Sequence, residues 1–220
     1  MKVFLPVVSI LITAIALGGC KTQPTPATTL RERGDRYYAL GEYSEAATEY
    51  QEIAYRYPGD WPAQYRLGLC LLELDRPGEA RSALQIAYTR QPQNEEVLDA
   101  FAEALYRDGA EEQLFTMLRH NAKASGAVRD YLRLARFSLR AGDPDSARRA
   151  IDIAIDLDST GSAAPYLVAA DLAESIGDEV LLLRRLRQAY GREPDNAEVA
   201  RRLRAMGEVP GPTIALPPGR

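Results

Sequence analysis

Short polar breaks recur along this chain at an almost constant interval, and this period limits the possible folds more than any other feature. Gly41, Asp75, Gly109, Gly142 and Gly177 each separate two stretches with helical periodicity, and they lie 34, 34, 33 and 35 residues apart. A period near 34 is too short for a domain and indicates a helix–turn–helix unit that stacks on copies of itself. One such unit cannot bury its apolar face alone, so at least three must stack.

The first two units also place small residues and prolines at matching positions. These are Gly34, Ala46 and Pro58 in the first unit, and Gly68, Ala80 and Pro92 after Trp61 in the second. This pattern resembles the tetratricopeptide repeat (TPR) family, and the later units keep the alternation of small and large residues. The resemblance implies an all-α, right-handed superhelical solenoid of about five units, with boundaries at 27–60, 61–94, 95–127, 128–162 and 163–196.

The segments that flank the repeated units differ from them in composition. An Arg-rich helical stretch, 197–207, follows a capping box formed by Asp195 and Glu198, and it is predicted to cap the solenoid. A second capping box, Thr29 with Glu32, is predicted to begin the first helix. The tail at 208–220 contains four prolines, and we expect it to be disordered or extended.

The N-terminus has the pattern of an export signal. Lys2 precedes an uncharged stretch, 3–17, that is too short to span a bilayer comfortably. The sequence Leu-Gly-Gly-Cys at 17–20 then resembles the lipobox of bacterial lipoproteins. That resemblance implies that residues 1–19 are removed and that Cys20 is acylated, with 20–29 as a polar tether. Lys21, which is not Asp, implies sorting to the periplasmic face of the outer membrane.

Composition excludes several kinds of function. The net charge is −4, which disfavours a nucleic-acid binder, and 2 Cys with 1 His leave little for a metal site. The motifs of serine hydrolases, zinc proteases, P-loop proteins and dinucleotide-binding enzymes are absent from the sequence. We therefore expect no enzymatic activity, no cofactor, no metal and no small-molecule substrate.

In TPR proteins the first helices of successive units line a concave groove that binds a protein or peptide partner. The resemblance assigns the groove positions of this chain to Arg31, Asp35, Tyr38, Tyr65, Leu69, Leu72, Asp99, Glu103, Tyr106, Arg129, Leu132, Arg133, Arg136, Leu139, Arg140, Leu167, Asp171 and Glu174. Tyr65 and Leu69 stand where chaperone-tail binders of the family have Lys and Asn. The departure argues against a carboxylate clamp of that type.

Four arginines of the fourth unit are predicted to share one helix face. Arg129, Arg133, Arg136 and Arg140 are spaced by four, three and four residues. Within that helix only Asp130 is acidic, and the helical spacing directs it to another face. Acidic residues of the neighbouring first helices are the predicted partners, namely Asp99, Glu103, Asp171 and Glu174. The stripe then forms an ion-pair lattice, and it could also receive an acidic segment of a partner.

These features predict a non-enzymatic scaffold, tethered to a membrane by lipid, that binds protein partners. The layout resembles TPR lipoproteins that assemble or localise pilus and secretion pores. Accessory lipoproteins of outer-membrane protein assembly and adaptors for cell-wall hydrolases share the same layout. The layout alone leaves these alternatives open.

Replacing Cys20 tests the predicted lipid anchor. Labelled palmitate should enter the wild-type protein and the Cys70→Ser control, because both retain the thiol that is acylated. The Cys20→Ser variant should take up no label and should leave the membrane fraction, since a stable anchor needs two or more acyl chains. Label entering the Cys20→Ser protein would show that the anchor is assigned wrongly.

Overall fold

A computed structural model describes residues 24–219, and within this range the regular structure is entirely helical. Residues 1–19 and Cys20, the predicted signal and lipidation site, lie outside the described residues. The helices are α1 (Ala27–Ala39), α2 (Tyr43–Arg56), α3 (Trp61–Glu73), α4 (Pro77–Arg90), α5 (Glu95–Arg107), α6 (Glu111–Ser125), α7 (Val128–Arg140), α8 (Pro144–Leu157), α9 (Ala164–Ser175), α10 (Glu179–Arg192) and α11 (Ala197–Ala205), followed by a 3₁₀ turn at Pro212–Ile214.

The ten helices α1 to α10 form five antiparallel pairs. Each helix packs against its pair partner and against the next helix along the chain, as expected of a solenoid. The predicted fold class, a TPR solenoid with a C-terminal capping helix, is therefore confirmed. We call the surface formed by α1, α3, α5, α7 and α9 the first-helix face, and the surface formed by α2, α4, α6, α8 and α10 the second-helix face.

The breaks that recur in the sequence are left-handed residues in the structure. The φ angles are 76° at Gly41, 55° at Asp75, 72° at Gly109, 73° at Gly142 and 71° at Gly177. The conformation ends the first helix of each pair, and the amide that follows bonds back to that helix, as Arg76 N–H does to the Leu71 carbonyl at 2.8 Å. Among these five residues Asp75 is the one that is not glycine, and Asp tolerates this conformation better than most residues do.

Close contact between paired helices depends on the small residues of the signature. A Cβ atom added at Gly68 would lie 2.3 Å from Leu84 Cγ, and one at Gly34 would lie 2.9 Å from Tyr50 Cζ. Leu84 and Tyr50 are both fully buried. These glycines therefore allow a large side chain of the second helix to lie directly on the backbone of the first.

Two helix starts differ from the predicted capping boxes. Helix α1 already begins at Ala27 after Pro26, so Thr29 lies inside the helix and gives no cap. Helix α11 is capped by the Asn196 side chain, which accepts from the amides of Glu198 and Val199. The capping atom is therefore one residue later than Asp195. The neighbouring carboxylate of Glu193 fixes Asn196, whose amide donates to it at 2.8 Å.

In the structure the C-terminal tail is extended apart from the turn at Pro212–Ile214. Its backbone lies against α10, where the Gln188 side chain donates to the Pro217 carbonyl at 3.2 Å. Gly191 permits this approach, because a Cβ atom there would lie 2.5 Å from the Leu216 carbonyl oxygen. Hydrogen bonds to its backbone groups and the packing of Ile214 on the core together hold the tail against α10.

A helix that crosses a bilayer must be both long and apolar. Within residues 24–219, no helix is both long and apolar enough to span a membrane.

Enlarging Gly68 tests the register of the units. Gly68→Leu should lower the free energy of unfolding by about 1–3 kcal/mol or more, because the new side chain collides with Leu84. Ala39→Leu, at an exposed position of α1, should change it by less than about 0.5 kcal/mol. Urea unfolding followed by circular dichroism measures both values. Equal stability of the two variants would contradict the register.

Candidate protein-binding groove

The predicted groove residues lie along the first-helix face, but some of them are buried. Leu72 and Leu132 are 6% and 4% exposed and pack in the core, so they are not available to a partner. Leu69, Leu139 and Leu167 are half-buried at the edge of the core. The residues that shape the surface are therefore mainly charged or aromatic.

At the N-terminal end, the contacts between α1 and α3 are satisfied within the chain. Arg31 binds Asp60 at 2.8 Å. The Asp35 carboxylate accepts a hydrogen bond from the Tyr50 hydroxyl at 2.5 Å. The Arg66 guanidinium lies 3.8 Å from Asp35 and also covers the Tyr38 ring at 5.5 Å. Burial raises the pKa of Tyr50, with a further contribution from the Asp35 carboxylate, so the phenol stays protonated as the donor.

Tyr65 lies beside these pairs, in an open pocket that Arg31, Asp35 and Arg66 also line. The pocket has a volume of about 300 Å³ and also contains Trp61 and Glu96. Burial raises the pKa of Tyr65, and the nearby Glu96 carboxylate adds to the effect. This part of the face offers aromatic surface and no net positive charge.

Between α5 and α7 the predicted ion-pair lattice is present. Arg129 binds Glu95 at 2.5 Å. Arg140 makes two bonds to the Glu103 carboxylate, at 2.6 and 3.0 Å. Asp99, the third acidic residue of this lattice on α5, pairs with Arg133. Each of these acidic side chains of α5 thus meets an arginine one unit further along the chain.

Arg140 is held by more than its ion pair. Its guanidinium lies 4.1 Å above the Tyr106 ring and 5.0 Å from that of Phe137. The Tyr106 hydroxyl donates to the Arg140 carbonyl at 2.8 Å. The hydrogen bonds to Glu103 outweigh the effect of burial and raise the pKa of Arg140. Arg140 and Tyr106 therefore form a rigid part of the wall.

Arg133 is buried, and its contacts correct the expected direction of Asp130. The Asp130 carboxylate pairs with Arg133 inside the protein and accepts from the Ser125 hydroxyl at 2.5 Å. Burial alone would lower the pKa of Arg133, but the bonds and charges of Asp99 and Asp130 outweigh it, so the pKa is raised. Arg133 is therefore mostly buried, and only a small part of its side chain faces the groove.

Asp171 and Glu174 bind the capping helix and not α7, a contact that the sequence did not predict. Arg202 of α11 reaches both carboxylates, at 2.6 and 2.9 Å, and its side chain is only 15% exposed. The Arg-rich face of the capping segment was the sequence signal that could have identified Arg202 as the partner of these acids. Because Arg202 takes both acids, none is left on α9 for the remaining arginine of α7.

Arg136 is consequently an exposed arginine that makes no ion pair within residues 24–219. It lines a cavity of about 500 Å³ between α7 and α9, together with Arg129, Arg140, Phe137 and Ala164. We call this cavity the α7–α9 site. Asp99 and Arg133 line it as well, so the site offers one unpaired guanidinium, three paired ones, one paired carboxylate and an apolar floor. Such a site suits an acidic side chain beside an apolar one.

Comparisons with known proteins agree with this fold. A tetratricopeptide repeat family model matches residues 31–95, which span most of the first two units. No curated protein sequence matches the chain. Among solved structures, PilW, a type IV pilus biogenesis factor, is 17% identical with a TM-score of 0.59, and the match covers 83% of this chain and 85% of PilW.

Two further solved structures have the same architecture. MamA from Desulfovibrio magneticus RS-1 is 16% identical, with a TM-score of 0.59 and coverage of 78% of this chain and 97% of MamA. YrrB, a TPR protein with an unusual peptide-binding site, is 14% identical, with a TM-score of 0.53. The match covers 82% of this chain and 92% of YrrB. At these identities the likeness is one of fold, and the fold is a TPR solenoid.

Removing one arginine at a time distinguishes interior from surface in α7. Arg133→Leu should lower the free energy of unfolding by about 3–5 kcal/mol, because it leaves the Asp130 carboxylate buried without its cation. Arg129→Leu removes only an exposed pair with Glu95 and should cost about 0–1 kcal/mol. Urea unfolding of both variants gives the comparison, and similar losses would contradict the burial of Asp130.

Proposed function

We propose that this protein is a non-enzymatic, membrane-tethered scaffold that binds a protein partner through its first-helix face. The observation that carries the proposal is the α7–α9 site, where Arg136 is exposed and unpaired while its neighbours Arg129 and Arg140 are satisfied by α5. Four arginines on one helix face repel each other. A partner that supplies an acidic group to Arg136 relieves part of that repulsion.

A polypeptide fits the groove better than a small ligand does. The open features are far apart along the solenoid, with the aromatic pocket of Tyr65 near its N-terminal end and Arg136 near its C-terminal end. Only an elongated partner can contact both at once. TPR folds bind protein or peptide partners, and YrrB provides one example by its description.

Neither Cys70 nor His120 is placed to act in covalent catalysis. Cys70 is fully buried, and burial raises the pKa of its thiol to about 12, so a thiolate nucleophile is disfavoured. His120 is exposed on α6, three helices further along the chain than α3, which carries Cys70. Within residues 24–219, no cluster of His, Cys, Asp and Glu has the arrangement of a metal site.

We further propose that lipid on Cys20 holds the scaffold at the periplasmic face of the outer membrane, in the assembly or localisation of an envelope machine such as a pilus or secretion pore. The export signal and the Leu-Gly-Gly-Cys sequence support the anchor. The similarity of fold to PilW, described as a type IV pilus biogenesis factor, supports this choice of machine. The lipid would leave the first-helix face free to bind.

Reversing the charge of Arg136 tests the proposed site. In intact cells, full-length wild type and Arg136→Glu are crosslinked and purified, and the captured proteins are identified. We expect Arg136→Glu to lose the partner, because the acidic group of the partner would now meet a carboxylate rather than a guanidinium. Arg204→Glu, on an exposed face of α11, makes the same change in net charge and should retain the partner.

Thermal unfolding is the control for this experiment, since both variants should have the melting temperature of the wild type. Arg140 is left unchanged because it also holds Glu103 and Tyr106. Full recovery of the partner by Arg136→Glu would exclude the α7–α9 site, and equal loss with Arg204→Glu would indicate a general effect of charge.

A further inference from the structure

A second cavity lies on the opposite surface, between α6 and α8 on the second-helix face. It has a volume of about 490 Å³, and α7 forms its floor. We call it the α6–α8 crevice. Helix α6 packs less closely on α5 than the other second helices pack on their first helices, which leaves room beside it.

The crevice combines an apolar interior with a mainly basic rim. Phe115, Leu134 and Ile153 provide apolar surface, and Ile153 is 41% exposed although it is a large aliphatic residue. Arg119 and Lys123 of α6 line the same side and form no ion pair within residues 24–219. The α8 side of the rim carries one acid, Asp143 at the N-cap of α8, and the third cation, Arg149, on the same helix.

The floor contains a buried polar group without a partner. Ser138 is fully buried, and its hydroxyl makes no hydrogen bond within the part of the chain that the structure describes. The corresponding residues of the second and third units are Leu71 and Leu105, which are apolar core residues. A hydroxyl at this position costs stability unless something accepts or donates a hydrogen bond there.

The equivalent position one unit further along is occupied by the chain's own tail. Tyr131 and Ile153 of the crevice correspond to Tyr166 and Gln188, each 35 residues later. The Tyr166 hydroxyl accepts from the Gly219 amide at 3.1 Å, and the Gln188 side chain donates to the Gly219 carbonyl at 3.1 Å. This surface of the solenoid therefore holds extended polypeptide in the fifth unit.

We propose that the α6–α8 crevice binds an extended, apolar segment of a partner protein that carries an acidic side chain. The segment lies over Tyr131 and Ile153 as the tail lies over Tyr166 and Gln188. Its apolar residues cover Phe115 and Leu134, and its carboxylate pairs with Arg119 or Lys123 at the rim. The backbone of the segment supplies a partner for the Ser138 hydroxyl.

Labelled peptides test this site directly. The probes are fluorescent eleven-residue peptides with the sequence of residues 209–219, which contains no charged side chain, and one Asp is moved through the positions while a matched set carries Lys instead. Fluorescence anisotropy measures their binding to the full-length protein. We expect members of the Asp set to bind, and the corresponding Lys peptides to bind at least tenfold more weakly.

Two matched variants locate the bound peptide. Ile153→Glu places an acid in the crevice and should weaken binding at least tenfold, and Arg119→Glu should act in the same direction. Ile86→Glu changes the equivalent position between α2 and α4, where Ile86 is 39% exposed, and should keep binding within twofold. Circular dichroism checks that each variant is folded.

Several results would overturn the proposal. One is that no Asp peptide binds, and another is that Asp and Lys peptides bind equally. Equal losses of peptide binding in Ile86→Glu and Ile153→Glu would show that the peptides do not bind specifically in the crevice. A loss in Gln188→Ala with none in Ile153→Glu would mean that the peptide only displaces the tail. A self-association abolished by Ile153→Glu would assign the crevice to contact between copies of this chain.

Discussion

The whole solenoid depends on one contact that recurs in every unit, a small residue of the first helix against a large residue of the second. Gly34 lies against Tyr50 and Gly68 against Leu84. The later units have buried residues at the matching positions, which are Ala102 and Leu118, Ala135 and Ile151, and Ala170 and Leu186. Close approach at this point brings the paired helices together, least closely in the third unit. The left-handed residue that ends each first helix then sets the turn between them.

This regular packing determines where charges meet on the surface. Because successive first helices are related by about 34 residues, Glu95 faces Arg129 and Asp99 faces Arg133. The same relation would bring the acids of α9 to α7, but the capping helix intervenes, since Arg202 binds Asp171 and Glu174. The cap thus completes the core and also leaves Arg136 without an acid. The candidate binding site is a consequence of how the solenoid ends.

Much of this fold could be predicted from the sequence, because the features that specify it are local and repeated. The helix pairs and the close contact at Gly68 follow from spacing alone. The partners of Arg202 and Asp130 could not be predicted, because long side chains choose among several nearby charges once the helices are packed. Nor could the contact of the tail with α10, which depends on a close approach of Leu216 to Gly191.

A partner protein is proposed to contact the open site between α7 and α9. Photo-crosslinking in intact cells tests this most directly, with benzoylphenylalanine placed at position 136 in one protein and at Tyr55 in another. Tyr55 is 82% exposed on α2 and far from the site. We expect a crosslinked partner from position 136 and none from position 55. A partner captured from position 55 and not from position 136 would contradict it.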